Sequence, residues 1–246
     1  MELPEGKVNL VIELVDQSVN TVYTEKNLNG KRTMKNAWLT GTQSQTIIYE
    51  NNKNSAILSV RFTTGGFYAL TKIPAEIIHP GLEAELIFGN TFKQFYQKLI
   101  NEKNIETLFQ IVEEHFFSFI KDGNSEISLS AFVDKNINQP IDWLVNKSGY
   151  SQKHLIHTIK KETGFSPKYL QRLHRFQNVI RSIQTFQGKI NWASIAYENN
   201  YFDQAHFIKD FIHFMGLTPA EYFALTNMSE HNNTFSDVKL LSGPGR

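Results

Sequence analysis

The chain of 246 residues is 41% hydrophobic and 20% charged, the balance of a globular protein with length for one large domain or two ordinary ones. It contains no cysteine, which excludes disulfides, thiolate metal sites and thiol nucleophiles. The net charge of +1 conceals a division: residues 1–126 carry 12 Lys+Arg against 15 Asp+Glu, a net of −3, whereas residues 127–225 carry 11 against 7, a net of +4. A basic back half is where a polyanion would bind.

No apolar run approaches the roughly 18 residues of a membrane span, and the opening MELPEGKVNLVIEL lacks the basic start and small-residue cleavage site of a signal peptide. A cytoplasmic protein without membrane association is the expectation. In chain order, VNLVIELV (8–15), QTIIYE (45–50), AILSVRF (56–62) and GFYAL (66–70) read as strands, being rich in β-branched and aromatic residues. The polar stretches NLNGKR, ENNKNS and TTGG supply turns between them. From Thr91 the period changes: TFKQFYQKLINEK and IETLFQIVEEHFFSFIK repeat apolar residues at three and four, the spacing of helices. Phe109, Val112, Phe116 and Phe117 form an apolar stripe that packs on the sheet or makes a dimer seam. KDGNSE (121–126) is the expected domain boundary. Helical patterns then run from about Ser128 to Leu225, and residues 227–246 lack a period and read as a tail.

Two segments of the back half follow one plan. SQKHLIHTIKKETGFSP (151–167) and DQAHFIKDFIHFMGLTP (203–219) align without a gap, their glycines Gly164 and Gly216 being 52 positions apart. Ser151 and Asp203 are N-caps. Leu155 and Ile159 match Phe207 and Phe211 on one apolar face, and each glycine stands at a left-handed helix end. Ser166-Pro167 and Thr218-Pro219 restart a helix, with Thr218 and Glu221 as a capping box. Upstream, Trp143, Leu144 and Tyr150 align with Ile195, Ala196 and Phe202. Each unit is therefore a short helix, a tight turn and a longer helix, the plan of a helix-turn-helix, and the segment from Pro167 to about Phe186 joins the two.

These residues resemble a known family. LVNKSGYSQKHLIHTIKKETGFSPKYLQRL and IAYENNYFDQAHFIKDFIHFMGLTPAEYF are similar to the paired helix-turn-helix units of the AraC/XylS-type transcription regulators, over about 100 residues. The resemblance implies one all-α DNA-binding domain of two units on a long helix. The front half is similar to the companion domain of one branch of that family through PEGKVNLVIEL, the Gly-Thr of WLTGTQSQ and SVRFTTGGFYALTKIP. The expected fold class is α+β: a β-rich sensor or dimerisation domain with trailing helices (1–125), a DNA-binding domain (126–226) and a tail (227–246).

Base edges are read by the first turns of a recognition helix. Those positions are Gln152, Lys153, Ile156 and His157 in the first unit and Gln204, Ala205, Ile208 and Lys209 in the second. Gln204 suits adenine, Lys153 and Lys209 suit guanine or phosphate, and Ile156 suits a thymine methyl. The family often has Arg at the position of His157, so the first unit is expected to contribute less specificity. Lys160, Lys161, Lys168, Arg172, Arg175 and Arg181 are candidate phosphate contacts. Leu144, Leu155, Ile159, Trp192, Phe207 and Phe211 read as core. In the front half Trp38, Phe62, Phe67 and Tyr68 are candidates for lining an effector pocket, although strand aromatics are more often core.

The partners expected from this reading are double-stranded DNA, a small-molecule effector, a second copy of the chain and, for an activator, RNA polymerase. No cofactor or metal is expected, because His154/His157 and His206/His213 have no carboxylate partner in a metal-binding pattern. Catalysis is not expected either: Glu113-Glu114-His115 lacks a second histidine at zinc-protease spacing, and there is no phosphate loop or nucleophile elbow. The alternative is a non-enzymatic scaffold for a ligand or partner protein, which would associate without the steep salt dependence of DNA binding.

Overall fold

A computed structural model describes residues 2–15, 19–23, 31–50, 55–78, 81–119, 128–186 and 190–229. The front half contains strands β1 (Asn9–Glu13), β2 (Val19–Tyr23), β3 (Lys31–Lys35), β4 (Ala37–Thr40), β5 (Ile48–Glu50), β6 (Ile57–Arg61) and β7 (Leu82–Glu83). Helix α1 (Gly66–Thr71) and a 3-10 turn at Ala75–Ile77 lie between β6 and β7, and α2 (Ala84–Phe88), α3 (Asn90–Asn101) and α4 (Ile105–Phe117) follow. The strands form two antiparallel sheets, β6-β1-β4-β7 and β3-β2-β5. The class is α+β, as the sequence predicts.

The run NLVIE of β1 is buried at every position, as expected of a strand covered on both faces. Leu10 and Ile12 pack with Leu39, Phe67, Phe88, Phe92, Phe95 and Leu99. The alternate residue Val11 pairs across the sheet with Trp38 and joins Met34 and Ile47 in a separate cluster. Glu13 ends the strand as a buried carboxylate. It accepts from Asn20 Nδ2 at 2.9 Å, Ala56 N at 3.0 Å, Val15 N at 3.1 Å and the Ser55 hydroxyl. Burial opposes its charge, but these four donors together hold its carboxyl below the usual carboxylate range.

Three expectations change. GFYAL is the helix α1 and not a strand, because an apolar run this short fits either period until Phe67 is seen seated in the core. Strands β2, β3 and β4 were not expected; KRTMK in β3 buries only Met34, which leaves little hydrophobic signal. The stripe on α4 divides: Val112 and Phe116 pack on the sheet core, while Phe109 and Phe117 stay exposed. The expected boundary KDGNSE and the part of the tail from residue 230 onward lie outside the described residues.

The back half is helical: α5 (Leu129–Lys135), α6 (Ile141–Ser148), α7 (Gln152–Thr163), α8 (Pro167–Gln184), α9 (Trp192–Glu198), α10 (Gln204–Met215) and α11 (Pro219–Ser229), the last running beyond the Leu225 expected. It has two cores rather than one. Leu144, Leu155 and Ile159 pack with Val133, Ile137 and Leu170. Phe207, Phe211, Phe214, Ile195, Ala196 and Tyr222 pack with Leu173, Phe176, Val179, Ile180 and Ile183. Helix α8 thus gives Leu170 to the first core and its later apolar residues to the second, which is how one helix joins the two units.

The halves are also tied to each other. Leu3 packs against the second core, Pro4 O accepts from Gln177 Nε2 at 3.1 Å, and α7 lies along α1 and the Ala75–Ile77 turn. In α7 the Glu162 carboxylate, buried, accepts from Ser130 N at 3.0 Å and from the Ser130 hydroxyl, which fixes α5 to the first unit.

Candidate nucleic-acid interface

Both longer helices are capped as their sequences predict. Ser151 Oγ accepts from His154 N at 3.3 Å at the start of α7, and Asp203 Oδ1 accepts from His206 N at 2.7 Å at the start of α10. A side-chain acceptor here satisfies one of the N–H groups that a helix leaves unpaired. Gly164 (φ 82) and Gly216 (φ 85) end the two helices in the left-handed region, with their N–H groups returned to Lys160 O and Ile212 O. The capping box forms: Thr218 N donates to Glu221 Oε2 at 2.7 Å, and Glu221 N donates to Thr218 Oγ1 at 3.2 Å.

The gap-free alignment of the two units fails in one place. The left-handed residues that close the first helix of each unit are Gly149 (φ 74) and Asn200 (φ 58), 51 positions apart, whereas the N-caps Ser151 and Asp203 are 52 apart. The second turn is therefore one residue longer. Asn tolerates the left-handed region better than most residues with a Cβ, so no glycine marks the site in sequence. Tyr201 turns inward at 5% exposed and Phe202 outward at 93%.

In α7 the predicted readers Gln152, Lys153, Ile156 and His157 are all exposed, while Leu155 and Ile159 on the opposite face are fully buried. In α10, Gln204, Ala205 and Lys209 are exposed, Ile208 is half-buried against the second core, and Phe207 and Phe211 are fully buried. Each helix thus presents a polar face starting at its capped N-terminus, where the helix dipole is positive.

The candidate phosphate contacts separate into distinct settings. Lys168 is exposed in the first turn of α8, and Arg181 is exposed near its end, donating to Asn178 Oδ1 at 2.9 Å. Lys160 and Lys161 face the front domain: Lys160 Nζ is 3.9 Å from Glu76 Oε2, and Lys161 Nζ lies 5.1 Å from the centroid of the Tyr68 ring. Arg172 Nε donates to Asp210 Oδ1 at 2.8 Å, and the Arg175 guanidinium lies 5.4 Å from the Tyr201 ring centroid. These last two arginines are half-buried and engage side chains of their own domain. Buried Tyr201 has its hydroxyl pKa pushed up, by burial first and then by Asp210. Sequence reading missed Asp210, because an Asp within an exposed-looking helix gives no sign of burial until its arginine is located.

The four pocket candidates are not brought together. Trp38 is fully buried with Val11, Met34 and Ile47, Phe62 and Phe67 meet edge-to-face at 5.5 Å in the helix-covered core, and Tyr68 faces Lys161. Among the described residues no group of three or more His, Asp or Glu side chains could hold a metal ion, and no helix is long and apolar enough to cross a membrane.

Comparison with known proteins bears on this geometry. No curated protein sequence matches the chain. Among solved structures, ToxT from Vibrio cholerae is similar at 16% identity over 90% of this chain and 91% of that one, with a TM-score of 0.48. ToxT bound to an unsaturated fatty acid follows at 15%, 90% and 88%, with a TM-score of 0.47. ToxT bound to (E)-4-(8-methylnaphthalen-1-yl)but-3-enoic acid gives 14%, 90% and 91%, with a TM-score of 0.47. A family model described as a helix-turn-helix domain matches residues 144–224, a range that reaches from α6 to α11 and takes in both capped helices. Residues 144–224, about a third of this chain, therefore match the AraC-type helix-turn-helix family model.

Proposed function

We propose that the protein is a sequence-specific transcription regulator in which α7 and α10 enter two successive major-groove segments of one duplex. The observation that carries this reading is the pair of capped helices, each with its apolar side buried and its polar side exposed, set on a single helix α8. Gln152, Lys153, Ile156 and His157 read one block of bases, and Gln204, Ala205 and Lys209 read the other, with Ile208 at the margin. Glutamine pairs with adenine, lysine with guanine, and isoleucine meets a thymine methyl. Lys168 and Arg181, both exposed, serve the phosphates.

The protein carries this DNA-binding domain beside a β-rich front domain that touches it at several points, so control passes through that contact. Exposed Ile105 and Phe109, one turn apart on α4, offer a surface for a second copy, which sedimentation at several concentrations would register as a dimer.

The test is selection of random duplex DNA by the purified protein at moderate salt, followed by sequencing of what is retained. Two short enriched blocks about one helical turn apart are expected. No enrichment by the whole chain or by residues 128–229 would overturn the proposal in favour of a protein-binding scaffold.

A further inference from the structure

The loop Gly41–Ile47 runs between β4 and β5 and meets the ends of both proposed reading helices. Its own footing is firm: Gln43 is buried and its Oε1 accepts from Gly41 N at 2.6 Å, and Ile47 exchanges two backbone hydrogen bonds with Glu2, at 2.8 and 2.9 Å. Three residues reach from it into the helical domain. Thr42 lies against Gly164 so closely that a Cβ there would come within 3.0 Å of the Thr42 methyl. Ser44 O accepts from the Tyr169 hydroxyl on α8 at 3.3 Å. Thr46 donates twice to Phe214 O in the last turn of α10, from its backbone N at 3.0 Å and from Oγ1 at 3.1 Å.

The last carbonyls of a helix have no partner within it. At α10 that partner comes from the front domain, and at α7 the terminal glycine is seated on the same loop. Among the described residues the two units have separate cores that both draw on α8, and a long helix can curve along its length. A second tie across the two C-terminal ends removes that freedom.

We propose that the Gly41–Ile47 loop is a spacing brace: through Thr42 and Thr46 it sets the distance and rotation between α7 and α10, and with them the separation of the two base blocks that one molecule accepts. Thr42 and Thr46 are positioning residues, remote from the exposed faces that read bases. The inference rests on the paired reading proposed above.

The test uses the double variant Thr42→Ala/Thr46→Val, conservative at both positions, in two measurements on the full chain. In the first, spin labels are placed at His154→Cys and Ala205→Cys, two exposed sites in a chain otherwise free of cysteine, and their distance distribution is recorded without DNA. The brace predicts one narrow distribution that broadens in the double variant; an unchanged width overturns the brace whatever the DNA does. In the second, without labels, duplexes carrying the two selected blocks at varied separations compete for the protein. The preference for the best separation over its neighbours is expected to fall about fivefold in the double variant, the equivalent of one lost hydrogen bond, while the preference within each block is retained. An unchanged separation profile overturns the brace. Enrichment of only one block by the parent chain would instead sink the paired reading, and the label distances would still decide whether the loop holds the helices.

Discussion

Arg172 on α8 donates through Nε to Asp210 on α10 at 2.8 Å, and the Asp210 side chain is only 3% exposed. The same guanidinium lies 5.1 Å from the Phe214 ring centroid and 5.9 Å from that of Tyr169. The pair thus joins the helix that carries both units to the helix proposed to read the second block. Removing the half-buried arginine leaves the buried Asp210 carboxylate without its close ion-pair partner. Arg172→Ala should therefore destabilise the domain by about 3 kcal/mol, read as a lowered denaturation midpoint. A loss of DNA affinity with unchanged stability would instead make Arg172 a phosphate contact.

The two N-caps differ in charge. Ser151 is neutral, whereas Asp203 places a carboxylate at the end of α10 proposed to approach DNA. Asp203→Ser keeps an acceptor for His206 N, and caps of these types differ by only a few tenths of a kcal/mol. Thermal stability should stay nearly constant while affinity for all duplexes rises, most at low salt. Asp203→Ala should instead cost about 1 kcal/mol of stability.

Lys209 and Lys168 separate reading from holding. Lys209→Ala should lose about 1–3 kcal/mol of discrimination at positions within one block. Lys168→Ala should weaken every duplex alike and reduce the slope of log affinity against log salt by about one. Binding titrations at three salt concentrations on matched and mismatched duplexes check both. Equal loss across all sequences from Lys209→Ala would remove it from the readers.

His115 stacks on Phe95 with ring centroids 3.9 Å apart, and its buried Nε2 has no hydrogen-bond partner. Burial first, and then the charge of Lys98, hold its pKa below the ordinary histidine value. The unfolded chain therefore takes up this proton before the folded one does. The stabilisation is complete above about pH 6.5 and declines as pH falls through that value toward the folded-state pKa. His174, depressed by burial and then by Arg181, adds a slope of the same sign. His115→Phe should flatten part of the decline, seen in melting temperatures at about pH 7.5 and about pH 5.5. A wild type equally stable at both would contradict this account.

The helical half was legible in sequence because its signals are local. A cap is one side chain and one N–H a few residues on, a left-handed helix end calls for glycine, and a buried face repeats every three to four residues; Ser151, Gly164, Leu155 and Phe207 each follow such a rule. In the front half β1, β5 and β6 were legible from their β-branched and aromatic runs, and α3 and α4 from apolar residues at three and four. The strands β2 to β4 draw their stability from pairing and a few cross-sheet contacts, which leave weaker marks on sequence.

What the sequence by itself determined is therefore the existence, polarity and caps of the two long helices, because those depend on residues a few positions apart. Tertiary structure alone decided that Asn200 takes the left-handed turn where the first unit uses Gly149, that Arg172 is committed to Asp210, and that Thr46 meets Phe214. These last two contacts join residues 38 and 168 positions apart. Neither a residue's type nor its neighbours record such a meeting, which exists only once hydrophobic burial has brought the two cores and the sheet together.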